Sequence, residues 1–308
     1  MKHLIKYYLA VVTALFLMAT SSTSFAAMGD VNWDQGNIVV IGMGIAPPNA
    51  VNSEQARMLA RRAAVVDGYR QMAEIIKGVS VTSETTVENM MVLSDATRTR
   101  VEATIKGARV TSEQMTPGGG YEVTMVVPMY GVSSSLASAV IEPTIKKEAF
   151  PQPVAAVQTS PAPTTSVSTN VTVNIPTVTT TPTIPNQPVA PTTTSAQANG
   201  GYTGLIVDCR GLGLQPVMTP LVKNDMGDTI YGRKNIDSAT IIQYGMAAYT
   251  KDVNNVSRAG TNPLMVKAIA LDGNSCNPVI ATSDANRVLI ENNTSHFLDR
   301  TSVVLLRD

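Results

Sequence analysis

The sequence is poor in the side chains that most often carry out catalysis or hold metals. Its 308 residues include two histidines and two cysteines, and aromatic residues make up only 5%. His3 lies in an N-terminal leader, so general acid–base chemistry would fall to His296 or to carboxylates, and we expect His296 to be an exposed loop residue. No Cys-x-x-Cys pair accompanies that single imidazole, so a zinc site is not expected.

Common catalytic and nucleotide-binding motifs are also missing from the sequence. There is no GxxxxGK[ST] phosphate loop, no GxSxG nucleophile motif and no HExxH metal motif. Gly42-Met43-Gly44 lacks the third glycine of a dinucleotide fingerprint, and Pro47-Pro48 follows where a helix should begin. We interpret these glycines as a turn that ends a strand, and we predict no catalytic residue, no cofactor and no metal.

An excess of positive charge is lacking as well. The chain has 23 Lys+Arg and 23 Asp+Glu, and the leader contains Lys2 and Lys6 but no acid. Removing the leader leaves 23 − 2 = 21 basic residues against 23 acidic ones, a net charge of about −2. Nucleic-acid binders and polybasic membrane-surface binders concentrate positive charge, so neither kind of partner is predicted.

The N-terminus has the pattern of a secretory signal peptide over residues 1–26. Two lysines precede an uncharged apolar run over residues 7–19, and small residues at 24 and 26 predict cleavage after Ala26. The run is shorter than the ~20 residues that a membrane span needs, and no other segment is long and apolar enough. The first cysteine is Cys209, so no lipid-attachment cysteine lies near the cleavage site. We therefore predict an exported protein on the periplasmic or cell-surface side of the envelope.

Residues 150–200 are predicted to be a linker between domains at 27–149 and 201–308. Half of the 18 prolines lie in this segment, and no charged residue occurs between Glu148 and Asp208. Proline blocks helices and central strands, and so few large apolar residues cannot offset the entropy cost of ordering. Such a tether would span roughly 40 Å when flexible and nearer ~150 Å when extended, so the two domains could reach separate targets.

The N-terminal domain is predicted to have an α+β fold. Alternating apolar residues predict strands over residues 38–41, 79–87, 108–115 and 121–127. Asn52 is a candidate cap for a helix that runs to Lys77, with Gly78 as a left-handed stop, and a second helix begins at Ser94 or Asp95. Two helices packed on one face of a four-stranded sheet is the natural arrangement.

The long helix is predicted to bury one broad apolar arc. Its members are Met58, Leu59, Val65, Val66, Tyr69, Met72, Ala73 and Ile76. Alanines at 56, 60 and 63 form a shallow flank, and Arg57, Arg61 and Gln71 are expected to face water on the opposite side. Arg62 falls inside the arc, where it either extends its head group to the edge or pairs with Glu84 or Glu122.

The second domain is predicted to be a small α+β unit. Strands are expected near residues 205–209, 229–231, 264–270, 279–282 and 301–306, with a helix from residue 283. Cys209 and Cys276 could form a disulfide in an exported protein, which we favour, or remain two reduced cysteines. Charged residues within these apolar segments form a candidate ligand-binding or ion-pair cluster: Asp208, Arg210, Lys267, Asp284 and Arg287.

Several stretches resemble a known family. In the N-terminal half these are GMGIAPPN, SEQARMLARRAAVVDGYRQMAEIIKG, GVSVTSETTV, IKGARV and GGGYEVTMVVPM. They are similar to the domain shared by the LPP-twenty lipoprotein family and the flagellar assembly protein FlgT. YTGLIVDCRGLGLQPVMTP, NPLMVKAIA and SDANRVLI look like the continuation found in longer members. The resemblance implies a non-enzymatic envelope component, although this sequence has no lipidation cysteine.

Two classes of function remain open from the sequence. The first is a non-enzymatic exported protein that acts as a docking or structural component of an outer-membrane or flagellar-type assembly, with a homo-oligomer as one option. The second is a secreted module that binds a glycan or another small ligand at residues 201–308, with Lys267 as a ligand contact. An enzyme that uses carboxylates would need Asp208, Asp284 and another acid in one cleft.

Overall fold

The structure of the chain is a computed structural model that describes residues 29–142, 146–153 and 198–308. The predicted signal peptide and its cleavage after Ala26 lie outside the described residues, and so do residues 154–197 of the predicted linker. Within the described ranges, no helix has both the length and the apolar content to cross a membrane.

The described residues form an N-terminal and a C-terminal domain. The N-terminal domain contains β1 (Gly29–Asn32), β2 (Asn37–Gly44), α1 (Ser53–Gly78), α2 (Val87–Leu93), α3 (Asp95–Lys106), β3 (Arg109–Met115), β4 (Tyr121–Pro128) and α4 (Leu136–Val140). The C-terminal domain contains β5 (Gly204–Asp208), β6 (Val222–Asn224), β7 (Thr229–Tyr231), α5 (Ser238–Tyr244), β8 (Ala248–Thr250), β9 (Pro263–Asp272), β10 (Asn277–Ile280), α6 (Thr282–Ser295) and β11 (Val303–Leu306).

In the described part of the N-terminal domain, four strands form an antiparallel sheet in the order β1-β2-β4-β3. The predicted α+β fold with a four-stranded sheet is therefore confirmed, but one strand was misplaced. Residues 79–87 contain only an isolated bridge between Ser80 and Thr86, and the fourth strand is β1. The Thr86 side chain accepts a hydrogen bond from the backbone N–H of Asn89, so it caps helix α2 and ends the extended segment.

The start of helix α1 was predicted correctly, but its stop was not. The Asn52 side chain accepts a hydrogen bond from the N–H of Gln55, whose own side chain accepts from the N–H of Val51. Gly78 is not in the left-handed region, and the chain leaves the helix through Val79 in an extended conformation. The lack of a side chain at Gly78 is therefore not needed for the turn.

The buried face of α1 is also different from the predicted arc. The helix buries Ala60, Ala64, Gly68, Gln71, Met72 and Ile76. Met58 and Val66, which were expected inside, are exposed. Gln71, which was expected to face water, donates hydrogen bonds to the carbonyl oxygen of Ile41 and to Asp67.

Two glycines of β2 explain why small residues of α1 lie inside. A Cβ atom added to Gly42 would overlap the carbonyl oxygen of Ala64, and one added to Gly44 would overlap the carbonyl oxygen of Ala60. The helix backbone therefore lies directly on the strand backbone. Gly42-Met43-Gly44 is part of β2, so the interpretation of these glycines as a turn was wrong.

Arg62 is exposed, and among the described residues it makes no ion pair with Glu84 or Glu122. Its neighbour Arg61 instead binds both carboxylate oxygens of Glu113 on β3, at 2.6 and 2.7 Å. The simpler expectation for Arg62, with its head group reaching water, agrees with this arrangement.

The described part of the C-terminal domain has a seven-stranded mixed sheet in the order β7-β6-β10-β9-β5-β11-β8. The five predicted strands and the predicted helix are present as β5, β7, β9, β10, β11 and α6, whereas β6, β8 and α5 were not predicted. Leu205 and Val207 of β5 lie on the same face as the buried side chains of α6. Ile206 points to the other face, in a separate small apolar cluster.

The two domains contact each other directly. The backbone N–H groups of Met218 and Thr219 donate to the carbonyl oxygens of Ser80 and Val81, at 3.0 and 2.9 Å. The N–H of Gly131 donates to the carbonyl oxygen of Ile242 at 2.8 Å. Buried apolar residues form a core that is continuous between the domains.

Both described ends of the predicted linker lie on the C-terminal domain. At one end, the ring of Phe150 stacks on Tyr231 with 6.4 Å between centroids. At the other end, the buried carboxylate of Glu291 accepts hydrogen bonds from the N–H groups of Asn199 and Gly200. The sequence predicted that a linker over residues 150–200 would let the two domains reach separate targets. In the described residues the domains instead contact each other, and both described ends of this segment lie on one of them.

Candidate functional site

The predicted charged cluster is not assembled into one site. Asp208 pairs with Arg210 at 2.6 Å, and the hydrogen bond from Arg210 outweighs partial burial and lowers the pKa of this carboxyl. Asp208 and Lys267 are in register on neighbouring strands, and Lys267 is exposed beside Met265 and Ile269. By alternation along β5, both charges lie on the sheet face opposite α6.

The other two members of the cluster, Asp284 and Arg287, belong to α6. The Arg287 guanidinium donates to the hydroxyl of Tyr202 at 2.7 Å and lies 5.7 Å from the centre of its ring. The sheet therefore separates this pair from Asp208 and Lys267. A carboxylate enzyme that brings Asp208 and Asp284 together does not fit this arrangement.

Both cysteines are free and buried, so the disulfide favoured from the sequence is not formed in the structure. The Cys209 thiol is directed to the carbonyl oxygen of Val207 and the Cys276 thiol to that of Asn274. Burial, with a smaller effect of Asp208, raises the pKa of Cys209 to about 12, so this thiol is a poor nucleophile. His296 is exposed at the end of α6, as expected.

A cleft of about 610 Å³ lies between the two domains. Its floor is the face of the N-terminal sheet that α1 leaves uncovered, and its walls come from the β1–β2 turn and from the C-terminal domain. The lining residues are Trp33, Asp34, Gln35, Gly36, Asn37, Arg109, Thr111, Val126, Pro128, Tyr130, Tyr244, Ala247, Ala248 and Arg258.

Local contacts fix the β1–β2 turn at the cleft. The Asn32 side chain accepts a hydrogen bond from the N–H of Gln35 at 2.9 Å, and Gly36 adopts a φ of 65°. The ring of Trp33 then meets Tyr249 of the C-terminal domain edge to face, with centroids 5.5 Å apart. The turn is thus held against the second domain with its tryptophan at the cleft.

The opposite wall is organised by Arg258. Its guanidinium donates to the carbonyl oxygens of Tyr244, Gly245 and Thr301 and to the hydroxyl of Thr301, at 2.5 to 2.8 Å. Two of these carbonyls belong to the last residue of α5 and to the residue after it, so the arginine also caps the C-terminal end of that helix. Burial lowers the pKa of Arg258 from its ordinary value.

The charge of the cleft is not balanced. The Oδ1 atom of Asp34 lies 3.4 Å from Nη2 of Arg307, so this carboxylate forms an ion pair. Neither Arg109 nor Arg258 has a carboxylate partner within the described ranges. Sequence analysis missed this site, because its walls are brought together only by the contact between the domains.

The end of the N-terminal sheet opposite the cleft carries an apolar tip. Gly44 and Met115 both pair with Tyr121, which places the ends of β2 and β3 together, and Ile45 lies next to the β3–β4 loop. The tip consists of Met43, Ile45, Val51 and Met115, which are 44%, 78%, 84% and 57% exposed.

Comparison with known families gives one match for each of the two domains. Residues 204–308 match the family model described as Treponema pallidum Tp0624, second domain, and residues 40–128 match the LPP20 lipoprotein family. A comparison with curated proteins found no match. The resemblance to FlgT stays a prediction. Residues 40–128 of this chain are therefore similar to the LPP20 lipoprotein family, as the sequence indicated, and this family indicates an exported, envelope-associated protein.

Proposed function

We propose that this chain is a non-enzymatic docking component of an envelope assembly and that it binds a protein partner through its apolar tip. The observation that carries the proposal is the group of four exposed large apolar side chains at the tip. Single exposed apolar residues are normal on a protein surface, whereas several near one another mark an interaction site. These four surround one end of the sheet, with Met43 and Met115 on opposite faces of it.

The position of the tip supports a docking role. β2 runs from Asn37, at the cleft, to Gly44, at the tip, so the two ends of the sheet lie in different surroundings. The C-terminal domain contacts one end, and no second domain covers the other within the described residues. The edge strand β3 is exposed along its whole length and ends at the tip with Met115, so its backbone can add to the contact with a partner.

Because the two domains contact each other directly, a partner bound at the tip has a fixed position relative to the C-terminal domain. Backbone hydrogen bonds from Met218 and Thr219 to residues 80 and 81 hold the C-terminal domain in one orientation. A partner bound at the tip would therefore be held at a set distance from the C-terminal domain, as in a structural component.

A photo-reactive amino acid placed at Ile45 tests this proposal in cells. We expect a cross-linked product with a protein of the envelope fraction, and Met115→Glu should reduce its yield because a charge replaces an apolar contact. The matched control carries the photo-reactive residue at Met226, which is 66% exposed on the C-terminal domain and should give no such product.

The mass of the product distinguishes the partners that the sequence predicts. A product of twice the chain's mass indicates a homo-oligomer, and any other mass indicates a different component, flagellar or not. If position 45 gave no more product than position 226, or if Met115→Glu left the yield unchanged, docking through the tip would be wrong.

A further inference from the structure

We propose that the cleft between the two domains binds a small organic anion, in which a carboxylate or phosphate group is joined to a planar apolar body. This site goes beyond the proposed docking function, since it lies at the opposite end of the N-terminal sheet from the apolar tip. It also differs from the charged cluster that the sequence suggested around Lys267.

The size and walls of the cleft suit such a ligand. Its volume of about 610 Å³ falls within the range of roughly 300 to 1,000 Å³ that small-molecule sites occupy. Val126 and Pro128 give an apolar floor, and the aromatic rings of Trp33 and Tyr244 line the walls. Flat apolar surfaces of this kind favour a ring over a flexible chain.

Arg109 is the first group that selects an anion. It lies on β3 opposite Val126, on the uncovered face of the sheet, and its side chain is exposed. Four other exposed arginines of this domain form ion pairs, as Arg61 does with Glu113, whereas Arg62 has no such partner among the described residues. No carboxylate within the described residues pairs with Arg109, so its planar fork of donors remains available for an oxyanion.

Arg258 is the second such group. A guanidinium has five N–H donors, and the four hydrogen bonds of Arg258 leave one N–H on Nη1 unused. All four acceptors are uncharged carbonyl or hydroxyl oxygens. The positive charge of Arg258 therefore has no negatively charged partner among the described residues. An anion in the cleft would supply that counter-ion in surroundings where a partly buried charge is costly.

The remaining charged residues of the cleft also favour an anionic ligand. Its acidic lining residue, Asp34, is already paired with Arg307, so it does not neutralise Arg109 or Arg258. A cationic ligand would meet two like charges, and a neutral one would leave both unpaired. The hydrogen bonds of Arg258 to the end of α5 explain its position, but they do not explain why Arg109 faces the same space.

The single tryptophan of the chain, Trp33, reports directly on this site by its fluorescence. The full mature chain is titrated with 4-nitrobenzoate, 4-nitrophenyl phosphate and the neutral 4-nitrobenzamide, whose nitro groups quench tryptophan on contact. We expect saturable quenching by at least one of the two anions and only linear, collisional quenching by the amide. The anion that saturates at lower concentration identifies the preferred group, carboxylate or phosphate.

Arg109→Gln should raise the dissociation constant of the anion by about tenfold or more, which corresponds to the loss of a charge-assisted contact. Arg62→Gln is the matched control, because it removes another exposed arginine of the same domain that lies outside the cleft; it should leave the titration unchanged. Ile45→Glu, at the tip, should also leave it unchanged, which separates this site from docking. Linear quenching by both anions, or equal affinity of wild type and Arg109→Gln, would overturn the proposal.

Discussion

At the scale of single residues, the contact of Arg61 with Glu113 shows how local patterns mislead. Helical spacing placed Arg62 in an apolar arc and Arg61 in water, so Arg62 was the residue for which an ion pair was considered. In the structure Arg61 forms the bidentate pair, and the Tyr121 hydroxyl donates to the same carboxylate at 3.0 Å. Arg61 and Glu113 are 52 positions apart, so only the packing of α1 beside β3 brings them together.

This contact predicts a specific dependence of stability on acid. The hydrogen bonds from Arg61 and Tyr121 lower the pKa of Glu113 from 4.5 to about 2. Because the pKa is lower in the folded state, the stabilisation is complete above pH 4.5 and is lost as the pH falls towards 2. Glu113→Gln should therefore show a smaller loss of unfolding free energy over this range than the wild type, as measured by urea unfolding.

Arg61→Gln serves as the control for this prediction. It removes the larger contribution and leaves the carboxylate bonded to Tyr121, so it should partly flatten the dependence of the unfolding free energy on pH over the same range. Parallel pH dependences in the wild type and in both variants would contradict the assigned role of the pair.

At the scale of elements, the glycines of β2 decide which face of α1 is buried. The sequence predicted the helix and its cap from local signals, because Asn52 and the residues after it act within one turn. It did not predict the buried face, because apolar side chains occur around most of this helix. The deciding feature is the close approach of two backbones at Gly42 and Gly44, which depends on residues of another element.

Alanine substitutions test this close approach. Gly44→Ala should lower the free energy of unfolding by about 1–3 kcal/mol or more, because its Cβ atom would meet the backbone of α1, which cannot move aside locally. Gly78→Ala is the matched control at the end of the helix, where an added Cβ meets no atom within 4 Å and φ is not positive. It should raise the stability by about 0.4–1 kcal/mol.

Urea unfolding monitored by circular dichroism measures both changes. If Gly44→Ala were as stable as the wild type, the direct packing of α1 on β2 would be wrong. If Gly78→Ala were strongly destabilised, the glycine would be needed as the left-handed stop that the sequence suggested.

Strands were likewise predicted where their pattern is local and missed where they depend on neighbouring strands. Strands β9 and β11 are apolar or alternating runs whose pattern is local, and both were predicted. β6 and β8 have three residues each and become strands only through their neighbours in the sheet. Residues 79–87 alternate like a strand, but residues 80 and 81 form backbone hydrogen bonds with the other domain instead of joining the N-terminal sheet.

At the scale of the whole molecule, the contact between the domains is the property that sequence analysis did not predict. A proline-rich segment between two folded domains is typical of a tether, and composition alone cannot show whether the domains touch. The cleft follows from that contact, because Trp33 and Arg258 are far apart in sequence and line it together. The proposed docking function then concerns one body with a free tip, not two modules that reach separate targets.

Cleavage between the domains tests this central claim most directly. A specific protease site inserted within residues 154–197 allows the chain to be cut without altering the residues that join the domains. After complete cleavage, we predict that the two fragments elute together in size-exclusion chromatography under native conditions and separate only in denaturant. Elution of two independent fragments without denaturant would contradict the account, because it would show that the domains are held together by the chain alone.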